Sequence, residues 1–232
     1  MTANGRRARR PSFLALRGMR TTSAALAAFA SGQLLVWIAE AVNPGWSPVE
    51  QMVSHYVHGT AGWLIPTATV LFGAGSMLVT AAVARTDGSS RAGTWLLGGW
   101  CALFFVAAAF PADPPGRWEE PPSGSGMVHG CAALTAFALL PVAAVLVTRR
   151  VRPGPRALVL AAAASVVATA FFAVVFVDVT DGPSLTFGGY ESLTGLAERL
   201  LLWADLAWLA IVCAVLRRPV RNEQDVDRAV RA

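Results

Sequence analysis

Three histidines, one serine and a few acids stand where their types and spacing suggest chemistry. Ser54, His55 and His58 lie in SPVEQMVSHYVHG (47–59), Asp113 in FPAD, His129 in MVHG, and Glu198 and Arg199 in GLAER, with Asp205 seven residues further on. A hydroxyl can serve as a nucleophile, an imidazole as a general base, and carboxylate–imidazole contacts serve metal sites and acid–base pairs alike. Ser54, His58, Asp113, His129 and Glu198 are therefore the candidate catalytic residues. Arg199, Asp205 and His55 are candidates for holding a polar substrate group. FPAD closes one apolar stretch and MVHG opens the next, so an antiparallel hairpin would return His129 to the level of Asp113. There they could hydrogen-bond, ligate a metal or exchange a proton.

The elements that must position these residues are apolar. The chain has 232 residues, 55% hydrophobic and 14% charged, with mean hydropathy +0.52, outside the range of ordinary soluble domains. Six stretches of roughly 20 residues are each long enough to cross a bilayer: about 22–42, 63–84, 93–110, 128–148, 157–178 and 197–216. The expected fold class is an all-α integral membrane protein, a six-transmembrane-helix bundle over 22–216 with a basic cytoplasmic tail at 1–21 and another at 217–232. RRARR resembles the charged start of a signal peptide, but the first apolar stretch lies far from the terminus and lacks a clear cleavage site, so it is read as a retained span.

Seventeen of the nineteen basic residues, all arginine, fall in the two tails or in the connections around 85–91 and 149–156. Arginine-bearing flanks resist translocation, so both termini are expected in the cytoplasm of a cell (plasma) membrane. The net charge of +5 then reflects topology and attraction to anionic membrane lipids, and no nucleic acid is called for. Cys101, Cys131 and Cys213 show no CxxC or Cys/His spacing and read as small apolar fillers.

The remaining titratable groups gather at the other, extracytoplasmic end. Charges within spans cost about 2.5–3.5 kcal/mol each on insertion scales and usually face the bundle interior. On the sixth span Glu198, Leu202 and Asp205 share a face, which places Asp205 roughly 10 Å deeper than Glu198. An aspartate at that depth calls for a donor, a cation or a proton. Arg199 is expected to pair with Asp113, Asp178 or Asp205, either tying spans together or binding substrate.

Within 47–59, Ser47, Pro48 and Glu50 form an S-x-x-E capping box with proline at the first helical position, and Gly59 is a stop. Val49, Met52, Val53, Tyr56 and Val57 make one apolar stripe. A short extracytoplasmic interfacial helix is expected, anchored by Trp46 and Trp63, with Ser54 and His58 on its polar side. PADPPGRWEEPPSGSG, with its prolines and glycines, predicts no regular helix.

MVSHYVHG, FPAD, MVHG and GLAER together resemble a bacterial six-span family known as domain of unknown function 998. In that family a serine motif precedes span two, F-P-x-D ends span three, a histidine begins span four and G-x-x-E-R begins span six; the matching residues are Ser54, then Phe110, Pro111 and Asp113, then His129, then Gly195, Glu198 and Arg199. The resemblance implies a bacterial inner membrane and no particular reaction. A weaker similarity links the chain to alkaline ceramidase-like membrane hydrolases, which hold zinc with histidines, serine and aspartate. Those have seven spans and an H-x-x-x-H pair on the last, and span six here has no histidine. A zinc site would have to come from His55, His58 and His129.

Three functions fit. The first is a membrane-embedded, hydrolase-like enzyme acting on a lipid or amphiphile at the outer face. The second is a non-catalytic scaffold or partner-binding protein. The third is a small-molecule transporter, which would call for broken helices near the midplane, and none is signalled.

Overall fold

The computed structural model describes residues 13–116, 120–150, 155–180 and 186–217, and side chains from residue 19 onward. The tails beyond these bounds, Arg117, Arg152 and Asp181 lie outside the described residues. The helices are α1 (Phe13–Ala41), a six-residue 3₁₀ helix η1 (Val53–His58), α2 (Leu64–Ala84), α3 (Arg91–Ala109), α4 (Gly124–Arg150), α5 (Arg156–Thr180) and α6 (Thr194–Leu216). All six α-helices contain a segment long and apolar enough to cross a membrane, and the protein is an all-α, six-helix membrane bundle. In α1 that segment is Met19–Ala41. The helix itself begins earlier, at Phe13 rather than near 22.

Consecutive helices pair as antiparallel hairpins, and α6 returns to touch α1, α2 and α4. In a bilayer, apolar side chains gain little by leaving lipid for one another, so close packing and internal hydrogen bonds hold the helices together. Gly32 of α1 lies against Phe72 of α2, and Gly75 of α2 against Phe29 of α1; a Cβ at either glycine would come within 2.6 Å of a ring carbon. Trp208 on α6 donates through Nε1 to Thr148 Oγ1 on α4 at 3.1 Å. A run of rings, Trp100, Phe104, Phe137, Phe172 and Phe176, links α3, α4 and α5. Pro141 inside α4 has no N–H for the carbonyl four residues back,. That carbonyl, Phe137 O, lies 3.5 Å from the Thr169 hydroxyl of α5.

Alternation places Arg85, Arg91, Arg149, Arg150, Arg156 and Arg217 at one end of the bundle and the long connections at the other. At the arginine end Arg217 donates to Thr22 Oγ1 at 2.8 Å and Ser23 Oγ at 2.7 Å, joining α6 to α1.

The connection from α1 to α2 differs from the expected interfacial helix. No capping box forms. Ser47 O accepts from the N–H groups of Glu50 and Gln51 in a turn, and the Glu50 carboxylate instead accepts from the Glu191 N–H at 2.9 Å. The helical part is η1 alone, and its Val53, His55 and Tyr56 are buried. Asn43 clamps both ends of the connection: its Nδ2 donates to Ala39 O at 2.7 Å and Thr60 O at 3.0 Å, and its Oδ1 accepts from Thr60 N at 2.7 Å. The physical reason is that 47–58 has buried bundle beneath it. Tertiary contacts to α6 satisfy its backbone where a capping box would otherwise have done so.

Candidate functional site

The N-terminus of α6 grips the 47–58 connection. Leu196 N donates to Val49 O at 2.9 Å, Thr194 Oγ1 to Glu50 O at 2.6 Å, and Gly195 sits where a Cβ would fall on the carbonyls of Gln51 and Pro48. The Glu198 carboxylate accepts the Val53 N–H at the start of η1, with the Ser54 N–H also directed at it. It is the negative charge that a helix N-terminus attracts.

Arg199 does not pair with Asp113, Asp178 or Asp205. Its Nε donates to Glu40 Oε1 of α1 at 2.8 Å, and its Nη1 donates to Gln51 O at 2.8 Å and Gly195 O at 2.9 Å. Its guanidinium carbon lies 5.7 Å from the centroid of the Tyr56 ring, close enough for a cation–π contact. Glu198 and Arg199 are each 5% exposed and Tyr56 1%. Together they fasten α1, η1 and α6. Asp205, 0% exposed, accepts from Ser165 Oγ of α5 at 2.6 Å, one helical heptad deeper and away from this junction.

Asp113 and His129 come to the same level, but no hydrogen bond joins them. Asp113 Oδ2 accepts from Ser123 N at 3.0 Å, beside the first turn of α4, where a Cβ at Gly126 would fall on the carboxylate. Ser123 in turn accepts from Gly126 N through Oγ at 3.0 Å. His129 Nδ1 is 2.8 Å from Phe110 O and 3.0 Å from Ala107 O at the end of α3. Carbonyls only accept, so Nδ1 carries a proton, which in the neutral imidazole leaves the lone pair on Nε2. His58, exposed, donates through Nε2 to Ala112 O at 2.6 Å.

His55 is turned inward, 5% exposed, with Nδ1 3.4 Å from Gln51 Oε1. Burial, reinforced by His58 and His129, pushes its pKa down from 6.5 to about 4, so it is neutral at pH 7.

Two cavities open at this end. One, of about 260 Å³, runs between the helices, with walls that include Val36, Ile65, Phe72, Phe104, Phe137 and Leu202 and with Ser54, Thr69, His129 and Glu198 as its polar members. The other, of about 490 Å³, is bordered by Ser54, His55, Asp113, Glu120, Ser123 and His129, together with apolar side chains. Ser54, Ala112 and His129 border both. Of the sequence candidates, Ser54, His129, Glu198, Asp113 and His55 therefore line cavities, whereas His58, Arg199 and Asp205 line neither. Among the described residues no group of three His, Cys, Asp or Glu side chains could hold a metal ion. The donor set that a zinc site would require is not assembled there.

Glu40, Gln51, Tyr56 and Thr194 build the junction and were not singled out from the sequence as site residues. Glu40 lies 159 positions from its partner Arg199, and no spacing rule connects them.

Fold and site together define a multi-pass membrane protein with a cleft at the η1 end of its helices. The chain belongs to the family described as Protein of unknown function (DUF998), whose pattern matches residues 7–215. No curated protein and no solved structure matches it.

Proposed function

We propose that the protein lies in the cell membrane with both termini in the cytoplasm and admits an amphiphile at its extracytoplasmic end, where Ser54 and His129 hydrolyse it. The orientation rests on the arginines clustered at the opposite end,. The observation that carries the reading is the junction of two cavities at Ser54 and His129, one with mainly apolar walls, the other bordered by Asp113, Glu120 and Ser123. Their sizes, about 260 and 490 Å³, suit a small ligand's tail and head.

The tautomer of His129 supports this reaction. With Nδ1–H engaged by Phe110 and Ala107, Nε2 accepts the Ser54 hydroxyl proton as Oγ attacks the carbonyl carbon of an ester or amide. The proton passes to the leaving alcohol or amine. Water, deprotonated by the same nitrogen, then releases the acyl group and restores Ser54. The test is hydrolysis of acyl esters of graded chain length by the full chain in nanodiscs. Turnover should drop at least about 100-fold in Ser54→Ala and in His129→Ala. Turnover unchanged in either variant would remove the assignment. A reporter fused to the C-terminus should be cytoplasmic.

A scaffold is the second reading, supported by a specific observation: Glu198 and Asp113 accept from, and Arg199 and His58 donate to, the chain's own backbone. It predicts no turnover and a partner captured by the wild-type protein.

A further inference from the structure

The seams between neighbouring helices are not alike. Glycines close several of them: α1 on α2 at Gly32 and Gly75, α2 on α3 at Gly73, where an added Cβ would stand 3.3 Å from the Phe105 ring, and α3 on α4 at Gly99, 3.1 Å from Leu139. Ser165 and Asp205 tie α5 to α6. The helices α4 and α5 meet edge to face at Phe137 and Phe172, with centroids 5.3 Å apart, and again at Thr169, one turn nearer the arginine end. Toward the η1 end from these rings they stand on either side of the larger cavity, with Met127, Gly130, Cys131 and Leu134 on the α4 side and Phe176 and Thr180 on the α5 side.

The four α4 residues are spaced i, i+3, i+4 and i+7, so they share one face. With 27 residues, α4 is about 40 Å long against a hydrocarbon core of about 30 Å. Leu134, about 15 Å from the η1 end of the helix, therefore lies within the core. It is nonetheless 39% exposed. Met127 and Cys131 are exposed above it, and a Cβ added at Gly130 would meet nothing within 4 Å. A cavity rim exposed at that depth faces lipid chains rather than water. The same cavity meets the narrower, apolar one at Ser54, Ala112 and His129. One passage thus runs from the bilayer to Ser54 and on to the apolar walls.

We propose that the seam between α4 and α5 is a lateral portal, through which the acyl chain of a lipid in the leaflet at the η1 end enters the cleft sideways. This deepens the amphiphile proposal and rests on it: the molecule admitted is resident in the bilayer and does not arrive dissolved in water. Its chain slides past Gly130 and Leu134 into the apolar cavity, and its polar part follows to the level of Ser54.

The full chain is placed in phosphatidylcholine nanodiscs doped with a phosphatidylcholine that carries a diazirine midway along one acyl chain, photolysed, and its adducts are mapped by mass spectrometry. Val167, 67% exposed on α5, reports the surrounding bilayer, whereas Phe104 and Phe137, buried in the cavity wall, are labelled only by a chain that has entered. Adducts on these two rings, scaled to Val167, are expected in the wild type. They should fall at least about fivefold once exposed Cys131 is alkylated with N-benzylmaleimide, because a filled passage leaves no room for a chain. The reagent acts on the folded protein, Cys101 and Cys213 are buried, and the same treatment should change nothing in Cys131→Ser. Gly130→Phe places a second obstacle in the seam and should give the same fall. No adducts on Phe104 and Phe137, or adducts that survive both obstacles, would overturn the portal. Hydrolysis separates that failure from failure of the reading beneath it. A water-soluble butyryl ester turned over by a wild-type protein without cavity adducts would remove the portal and leave the enzyme, whereas cavity adducts that the obstacles abolish, with no turnover of any ester, would keep the portal and remove the enzyme.

Discussion

The α6–η1 junction and the cleft wall lie at the same end of the bundle and both carry titratable side chains, yet they use them in opposite ways. At the junction the costliest groups to bury, Glu198, Arg199 and Glu40, are turned toward one another's segments and toward backbone. At the wall, His129 is fixed by one nitrogen, and Ser54 borders both cavities. Ser54 joins the two regions, its backbone facing Glu198 while the residue borders both cavities. The lesson is that an ionisable residue buried in a membrane bundle marks a site only after its partners are counted. Here the charged pair positions, and the neutral groups remain available.

Breaking the junction should give the largest effect. Arg199→Ala leaves Glu40 without its cation and Gln51 O without its guanidinium donor. Removing one member of a buried pair typically costs about 3–5 kcal/mol. The variant should unfold at a markedly lower temperature in detergent, or fail to accumulate, and Arg199→Lys should recover only part of this because one ammonium cannot reproduce the forked contacts. An alanine variant as stable as the wild type would mean that the junction does not hold α1, η1 and α6 together.

His55 gives an effect of the next size, readable through pH. Its folded pKa of about 4 lies below its ordinary 6.5, so between those values the unfolded chain binds a proton that the folded chain excludes. Stability from this residue is full above pH 6.5, is lost as pH falls through the window and levels off below about 4, a total of about 3 kcal/mol. Thermal midpoints recorded from pH 7.5 down to 4.5 should fall more steeply in the wild type than in His55→Asn. Parallel slopes would show that burial does not hold the His55 ring neutral.

The fold was readable because six apolar runs and a one-sided arginine distribution repeat the same statement along the chain. The wall was partly readable too: Ser54, His129 and Asp113 stand beside span boundaries, so counting spans brings them to one level. The junction was not. Glu40 and Arg199 are 159 positions apart, and the S-x-x-E pattern at 47–50 is a local signal overridden by α6, which supplies Glu198 in place of a capping side chain,. His55 and His58 carry the same side chain three residues apart; only burial by the bundle distinguishes the inward one from the one tied to Ala112.

The smallest expected effect on stability sharpens the comparison most. Ser54→Ala removes a hydroxyl from a residue that borders both cavities and leaves the backbone N–H facing Glu198 untouched. Its cost should stay within about 0.5 kcal/mol, as for substitutions that break no buried network, while any turnover disappears. The two readouts together separate the regions: Arg199→Ala loses the fold and function with it, whereas Ser54→Ala loses function alone. A Ser54→Ala protein destabilised as severely as Arg199→Ala would make the wall part of the junction and remove the distinction between a group that positions and one left free to react.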